Sequence, residues 1–362
     1  MSESTQRERI AALDSLRGMA AFGVTLFWHY SHFGAGRVFE GMAADWLYRY
    51  GLMLVDFFFV LSGFVLSHVY LEALKRREVH PATFFVLRFS RLYPLHLVTL
   101  LYVAGLQGWR FREGLDSFVY QANDLAHFVL NLLFLQQGVV RTVYSYNGPA
   151  WSLTIEEVSY LAFFVSLYFF AKSFRAVFAG LVVLGAAINL TNLDTHLLNL
   201  DISRGLVGFF AGALAFQLHR VAQERERSTQ LAVLAAIICV VVVGYYTKQG
   251  YPRTSSILVV HSLLIFPAAV LLVLNSGPLN RLVSVGPLAY LGEISYSVYM
   301  LHFPVQLTLV TLDQRLGLGF AYFSLDFFVL YAASVVAVSV GSFHAFERPV
   351  QQWIRSRLIR AR

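Results

Sequence analysis

Long apolar runs separated by short polar connections make up most of this sequence. They fall at about 16–33, 51–71, 84–107, 151–171, 176–190, 204–219, 230–246, 257–275, 284–311 and 321–345. Most approach the roughly 20 apolar residues that a helix needs to cross a bilayer core. Inside hydrocarbon a backbone must satisfy its own hydrogen bonds, which helices do and open sheets do not. The predicted fold class is therefore all-α, a polytopic membrane helix bundle with about ten transmembrane helices. An eleventh run, Phe128–Leu135, is too short to cross and reads as re-entrant or interfacial. The longest polar connection, about 108–150, carries the turn signal Asn147-Gly148-Pro149 and is long enough to cap a site.

Composition supports a membrane chain. Hydrophobic residues make up 57% and charged ones only 14%, against roughly 25% charged in soluble domains. A single transmembrane domain over 1–362, with no fused extracytoplasmic domain, is expected. The N-terminus (Glu3, Arg7, Glu8, Arg9) shows no cleavable signal, so the first run is predicted to remain as a span. The lone Cys239 rules out an intramolecular disulfide. A net charge of +7 points to basic inner loops rather than to nucleic acid. With ten crossings and the N-terminus inside, 19 of the 28 basic residues fall in inner segments and 9, among them Arg141, Arg204 and Arg253, in outer ones. That bias predicts N-in and C-in. Counting Phe128–Leu135 as a crossing would move Lys172 and Arg175 outside and weaken it. The basic run Arg355–Arg362 reads as an anchor for anionic membrane lipids.

Charges inside apolar runs cost on the order of 2.5–3.5 kcal/mol each on the insertion scale, so each needs a reason. The first run reads Leu13-Asp14-Ser15-Leu16-Arg17-Gly18 and later Phe27-Trp28-His29-Tyr30-Ser31-His32. The second carries Val55-Asp56-Phe57-Phe58-Phe59-Val60-Leu61-Ser62-Gly63-Phe64. A loop ends Arg88-Phe89-Ser90-Arg91-Leu92-Tyr93-Pro94, and the fourth run opens Trp151-Ser152-Leu153-Thr154-Ile155-Glu156-Glu157. The ninth contains Ile294-Ser295-Tyr296-Ser297-Val298-Tyr299-Met300-Leu301-His302, and the last closes Glu347-Arg348-Pro349. No metal-ligand spacing, Walker loop or Gly-x-Ser-x-Gly elbow accompanies them.

In this order, from Asp14 to Pro349, these pieces resemble the acyltransferase family 3 membrane proteins. The resemblance implies a bundle of about ten helices in the bacterial cytoplasmic membrane. It also implies acetyl-CoA or another acyl-CoA as donor, a carbohydrate or lipid-linked carbohydrate acceptor, and no metal. Within the first span it makes an Arg and a His critical. Family members usually have ten residues between those two, whereas eleven separate Arg17 from His29. At 100° per residue, that extra residue turns His29 roughly 120° from Arg17 and leaves His32 roughly 60° away. Either His32 takes the role, or a one-residue π-bulge restores His29. The apolar run Leu26-Phe27-Trp28 favours His29.

Depth along the membrane separates two groups. His29, Asp56 and Glu156 fall near the outer third and form the expected catalytic set. An imidazole is suited to deprotonate a hydroxyl, and Asp56 is placed to orient it. Arg17, Arg88 and Arg91 collect at the inner end, Arg17 roughly 18 Å of helix from His29, and their guanidinium groups suit the phosphates of CoA. Structural roles stand beside each of these: snorkelling for Arg17, an interhelical hydrogen bond between Asp56 and Glu156, packing for His302, and capping for Glu347 and Arg348. The leading expectation is a membrane O-acyltransferase, an O-acetyltransferase by resemblance. A polytopic transporter or lipid-linked sugar flippase is the alternative, although no inverted repeat supports it.

Overall fold

A computed structural model gives the structure at residues 10–136, 140, 143–250 and 256–360. Among the residues weighed for topology, Glu3, Arg7, Glu8, Arg9, Arg141, Arg253 and Arg362 lie outside the described residues. All regular structure among the described residues is helical. In chain order the α-helices are α1 Ala11–Gly23, α2 Met42–Tyr50, α3 Met53–Lys75, α4 Pro81–Arg112, α5 Leu125–Leu132 and α6 Trp151–Phe169. Then follow α7 Phe174–Leu190, α8 Leu200–Glu224, α9 Ser228–Gln249, α10 Ser256–Val260 and α11 Phe266–Asn275. The series closes with α12 Gly277–Val283, α13 Gly286–Glu293, α14 Ser295–Leu316, α15 Leu325–Ser342 and α16 Arg348–Arg360.

Seven helical stretches among the described residues are long and apolar enough to cross a membrane. They coincide with seven of the ten expected runs. The other three fail the criterion for local reasons. The first changes helix type partway, α7 has only 17 residues, and the ninth, broken at Ile294, leaves α14, whose 22 residues are long enough but too polar. The short eleventh run overlaps α5, whose 8 residues rise only about 12 Å.

The chain divides into two compact units, the first built from Met1–Ala20, Met53–Glu78 and Ile155–Glu293. Its centre is α8, with 72% of its apolar window buried. Glycines let α3 and α8 cross at backbone contact. A Cβ on Gly212 would stand 2.0 Å from the Val60 carbonyl oxygen, and one on Gly63 would stand 1.8 Å from that of Phe209. Between membrane helices, where lipid is as apolar as Leu, such close backbone packing supplies much of the attraction. Ser203 Oγ on α8 donates to the Gly185 carbonyl of α7 at 2.9 Å.

The second unit contains Ala21–Leu52, Val79–Thr154 and Ile294–Arg362. Its axis is the pair α4 and α14, which run parallel. Tyr296 Oη donates to the Leu92 carbonyl near one end. Further along, Tyr102 and Thr308 hydroxyls meet at 2.7 Å, and Arg110 Nη1 donates to Thr311 Oγ1 at 2.9 Å. The contacts climb both helices together. Helices α15 and α16 pack on this pair.

Candidate functional site

The first apolar run does not stay α-helical. After Gly23 it widens into a π turn over Val24–Trp28, where the His29 N–H reaches back to the Val24 carbonyl, and then tightens into a 3-10 turn over His29–Phe33. A π turn accommodates one residue more than an α turn. It lies between Arg17 and His29, where the sequence has one residue too many. Gly34, at φ +137°, ends the segment in a conformation that side-chain-bearing residues rarely adopt. The 3-10 turn is clamped by aromatics: Tyr30 Oη donates to the Tyr322 carbonyl at 2.6 Å, and Phe33 stacks on Tyr322 with ring centroids 5.4 Å apart.

Clamped in this way, the turn presents His29 to α14. The rings of His32, His29 and His302 form a column, with centroids 4.9 and 4.8 Å apart. His29 Nδ1 and His302 Nε2 are 2.8 Å apart, and His302 Nδ1 lies 2.6 Å from the Tyr299 carbonyl oxygen. A carbonyl only accepts, so His302 carries its proton on Nδ1 and offers a bare Nε2. The proton in the His29–His302 bond therefore belongs to His29 Nδ1. This leaves His29 Nε2 as an unprotonated lone pair, and it makes no hydrogen bond with the described residues. Gln306 holds the column from the side. Its Nε2 donates to the His29 carbonyl at 2.8 Å, and its Oε1 accepts from His32 Nδ1 at 2.9 Å.

Part of the 108–150 connection closes over this column. Tyr120 sets its ring edge-on to His32, 5.8 Å between centroids, and lies against Phe303. Gly148 touches Tyr120 so closely that a Cβ there would fall 2.3 Å from the ring. Asn147 Nδ2 donates to the Met300 carbonyl at 3.0 Å, while Tyr299 Oη donates to the Pro149 carbonyl at 2.9 Å. In the last turn of α14, Asp313 accepts from the Phe320 N–H at 3.1 Å and from Tyr322 Oη at 2.5 Å. The Tyr322 hydroxyl bond holds the Asp313 carboxyl below its ordinary range.

The carboxylates of the expected catalytic set have other partners. Asp56 receives a guanidinium fork, Arg204 Nε on Oδ1 at 2.8 Å and Nη2 on Oδ2 at 3.1 Å, with both side chains at 5% exposure or less. The described partner of His29 Nδ1 is His302, and Asp56 pairs with Arg204 rather than with Glu156. The physical reason is charge. A buried carboxylate is best compensated by a full opposite charge in bidentate geometry, and a neutral imidazole offers none. Glu156 Oε1 accepts from Ser62 Oγ at 2.6 Å and from Tyr160 Oη.

Of the expected phosphate ligands, Arg17 lies half-buried with Nη1 3.4 Å from Asp14 Oδ1. Arg88 and Arg91 are both on α4, Arg88 at 7% exposure. Arg91 acts electrostatically on Glu347, whose Oε2 accepts from Ser297 Oγ at 2.6 Å. Sequence reasoning missed Arg204, Gln306, Tyr299 and Tyr120. Two of these had a signal: Tyr299 and Gln306 stand three residues before and four after His302, and so share its helix face. Among the described residues no group of three or more His, Cys, Asp or Glu is disposed to hold a metal ion.

The acyltransferase domain family model matches residues 10–344. Protein 2 in the picA locus of Rhizobium radiobacter is 33% identical over 171 residues, covering 44% of this chain and 82% of that protein. Peptidoglycan O-acetyltransferase OatA of Listeria monocytogenes is 25% identical over 334 residues, 84% of this chain and 50% of OatA. The O-acetyltransferase OatA of Staphylococcus aureus is 24% identical over 330 residues, again 50% of its length. This chain thus spans about half the length of the OatA relatives it matches. No solved structure matches it.

Proposed function

Because this chain belongs to the acyltransferase domain family, enzymes that transfer acyl groups, we propose that it is a membrane O-acetyltransferase. It takes an acyl group from cytoplasmic acyl-CoA, acetyl-CoA first among them, and places it on a hydroxyl of an extracytoplasmic carbohydrate. The bundle is assigned ten spans with both termini inside, in the bacterial cytoplasmic membrane, as the 19-to-9 bias of basic residues favours.

The observation that carries this reading is the bare Nε2 of His29, held by the 2.8 Å bond to His302. As the acceptor hydroxyl attacks the thioester carbonyl, Nε2 takes its proton. The C–S bond then breaks, and the departing CoA thiolate recovers that proton from Nε2. His302 Nε2 accepts from His29 Nδ1–H throughout, so it fixes the tautomer and stabilises the transient imidazolium, the task a carboxylate performs in a hydrolase triad. Arg17, Arg88 and Arg91 are assigned to the CoA phosphates. Asp56, held by Arg204, and Glu156, held by two hydroxyls, are assigned positioning roles.

The test uses the full chain in lipid nanodiscs, given acetyl-CoA labelled in the acetyl group and a surface glycan. Label is expected to move to the glycan in step with release of free CoA, and a His29→Ala variant is expected to abolish both. Movement of glycan across a vesicle membrane with no consumption of acetyl-CoA would overturn the proposal in favour of a transporter.

A further inference from the structure

The helix that carries His302 has a proline inside it, Pro304. Proline has no N–H, so the carbonyl four residues back, that of Met300, loses its helical donor, and the ring crowds that carbonyl. Met300 is fully buried, where a carbonyl left without a donor is costly. The replacement donor comes from the 108–150 connection. Asn147 Nδ2 donates to the Met300 carbonyl at 3.0 Å, and because a carbonyl only accepts, the orientation of the carboxamide is fixed. Asn147 is itself 1% exposed.

Met300 and Pro304 stand two residues before and two after His302. The opening in the helix ladder is therefore centred on the turn that bears the imidazole. The segment that fills it is anchored on both sides. Just before Asn147, the Tyr146 N–H donates to Asn123 Oδ1 at 3.1 Å, and Tyr146 Oη donates to the Asp124 carbonyl at 2.9 Å. Just after it, the Pro149 carbonyl accepts from Tyr299 Oη, which accepts in turn from Ser152 Oγ at 3.1 Å. Tyr299 is also the residue whose carbonyl takes the Nδ1 proton of His302. We propose that Asn147 is a positioning residue for acyl transfer. By supplying the donor that Pro304 lacks, it holds this turn of α14 so that His302 Nε2 stays within hydrogen-bond reach of His29 Nδ1. This rests on the reading of His29 as the base of an acyltransferase.

Kinetics of the full chain in nanodiscs, with labelled acetyl-CoA and a surface glycan, test it through double-mutant cycles. Asn147→Leu removes the donor, and displacement of the His302 turn is expected to lower kcat about 10- to 100-fold with KM nearly unchanged. Asn147→Ala, which leaves room for a bridging water, is the milder second variant and should fall between Asn147→Leu and wild type. Pro304→Ala returns an N–H to position 304, and in that background either change at Asn147 is expected to cost little. In a His302→Ala background either change should cost nothing further, since effects that pass through one residue do not add. Equal losses in all three backgrounds overturn the proposal. So does a lowered thermal midpoint with unchanged kcat, which would make the Asn147 bond a matter of stability alone. A folded but inactive Pro304→Ala enzyme also overturns it, because the role then belongs to the kink itself. Wild type that transfers no acetyl group removes the reading of His29 as the base, whereas active wild type matched by both Asn147 variants removes only Asn147.

Discussion

At the scale of single residues, two buried pairs stand out, His29–His302 and Asp56–Arg204. In the His29–His302 pair, His302 touches no substrate in the proposed reaction and acts by holding the Nδ1 proton of its neighbour. His302→Ala should therefore lower kcat by about 10²–10⁴ with KM nearly unchanged. His302→Gln is expected to recover part of the loss, because a side-chain carbonyl can still accept from His29 Nδ1–H. An equal fall for both variants would show that packing alone is lost. The Asp56–Arg204 pair makes a different prediction. Removing one partner leaves a charge in hydrocarbon and costs about 3–5 kcal/mol, while replacing both with apolar residues of similar size is often neutral. Arg204→Met alone should lower the thermal midpoint strongly, and Asp56→Leu with Arg204→Met should restore it. Acyl transfer by the double variant within about tenfold of wild type, a difference of about 1.4 kcal/mol, is expected if Asp56 only positions. A folded but inactive double variant would return Asp56 to the catalytic set. In sequence terms His29 and Asp56 were legible as candidates because ionisable groups in apolar runs are costly. Their partners were not, since Arg204 and His302 lie 148 and 273 residues away, and no local period links such positions.

At the scale of elements, the one-residue surplus between Arg17 and His29 was the most informative irregularity in the sequence. The π turn over Val24–Trp28 takes it up. The 3-10 turn that follows could not be foreseen from hydropathy, because it is imposed by tertiary aromatic contacts to Tyr322. If the π turn only stores the extra residue, deleting Leu26 from it should convert it to ordinary α-helix and leave His29 on His302. Acyl transfer is then expected to persist. Deleting Met19 from the α-helical part should turn everything beyond it by about 100° relative to what precedes it and abolish transfer. The check is labelled acetyl transfer alongside chromatographic homogeneity of each variant. An inactive, well-folded Leu26 deletion would mean that the π geometry itself serves the reaction.

At the scale of the whole chain, seven of the ten apolar runs coincide with described helical stretches long and apolar enough to cross a membrane. Hydropathy was least informative where polar chemistry interrupts helices, at the π and 3-10 turns before Gly34 and at the break before Ser295. Those interruptions flank His29 and the start of α14, which carries His302, and irregular backbone at membrane depth is tolerated only where protein buries it or a wet cavity receives it. Breaks that weaken the count of spans are therefore the features expected of a site. The count can still be decided by the side of the membrane on which two positions lie. Gln121 precedes α5 and Lys172 follows α6, and both are exposed. If α5 does not cross, Gln121 lies outside and Lys172 inside; if it crosses, both lie outside. With Cys239→Ser as background, Gln121→Cys should react with a membrane-impermeant maleimide added to intact cells, and Lys172→Cys should react only after permeabilisation. Labelling of Lys172→Cys in intact cells would establish eleven crossings and reverse the C-terminal side.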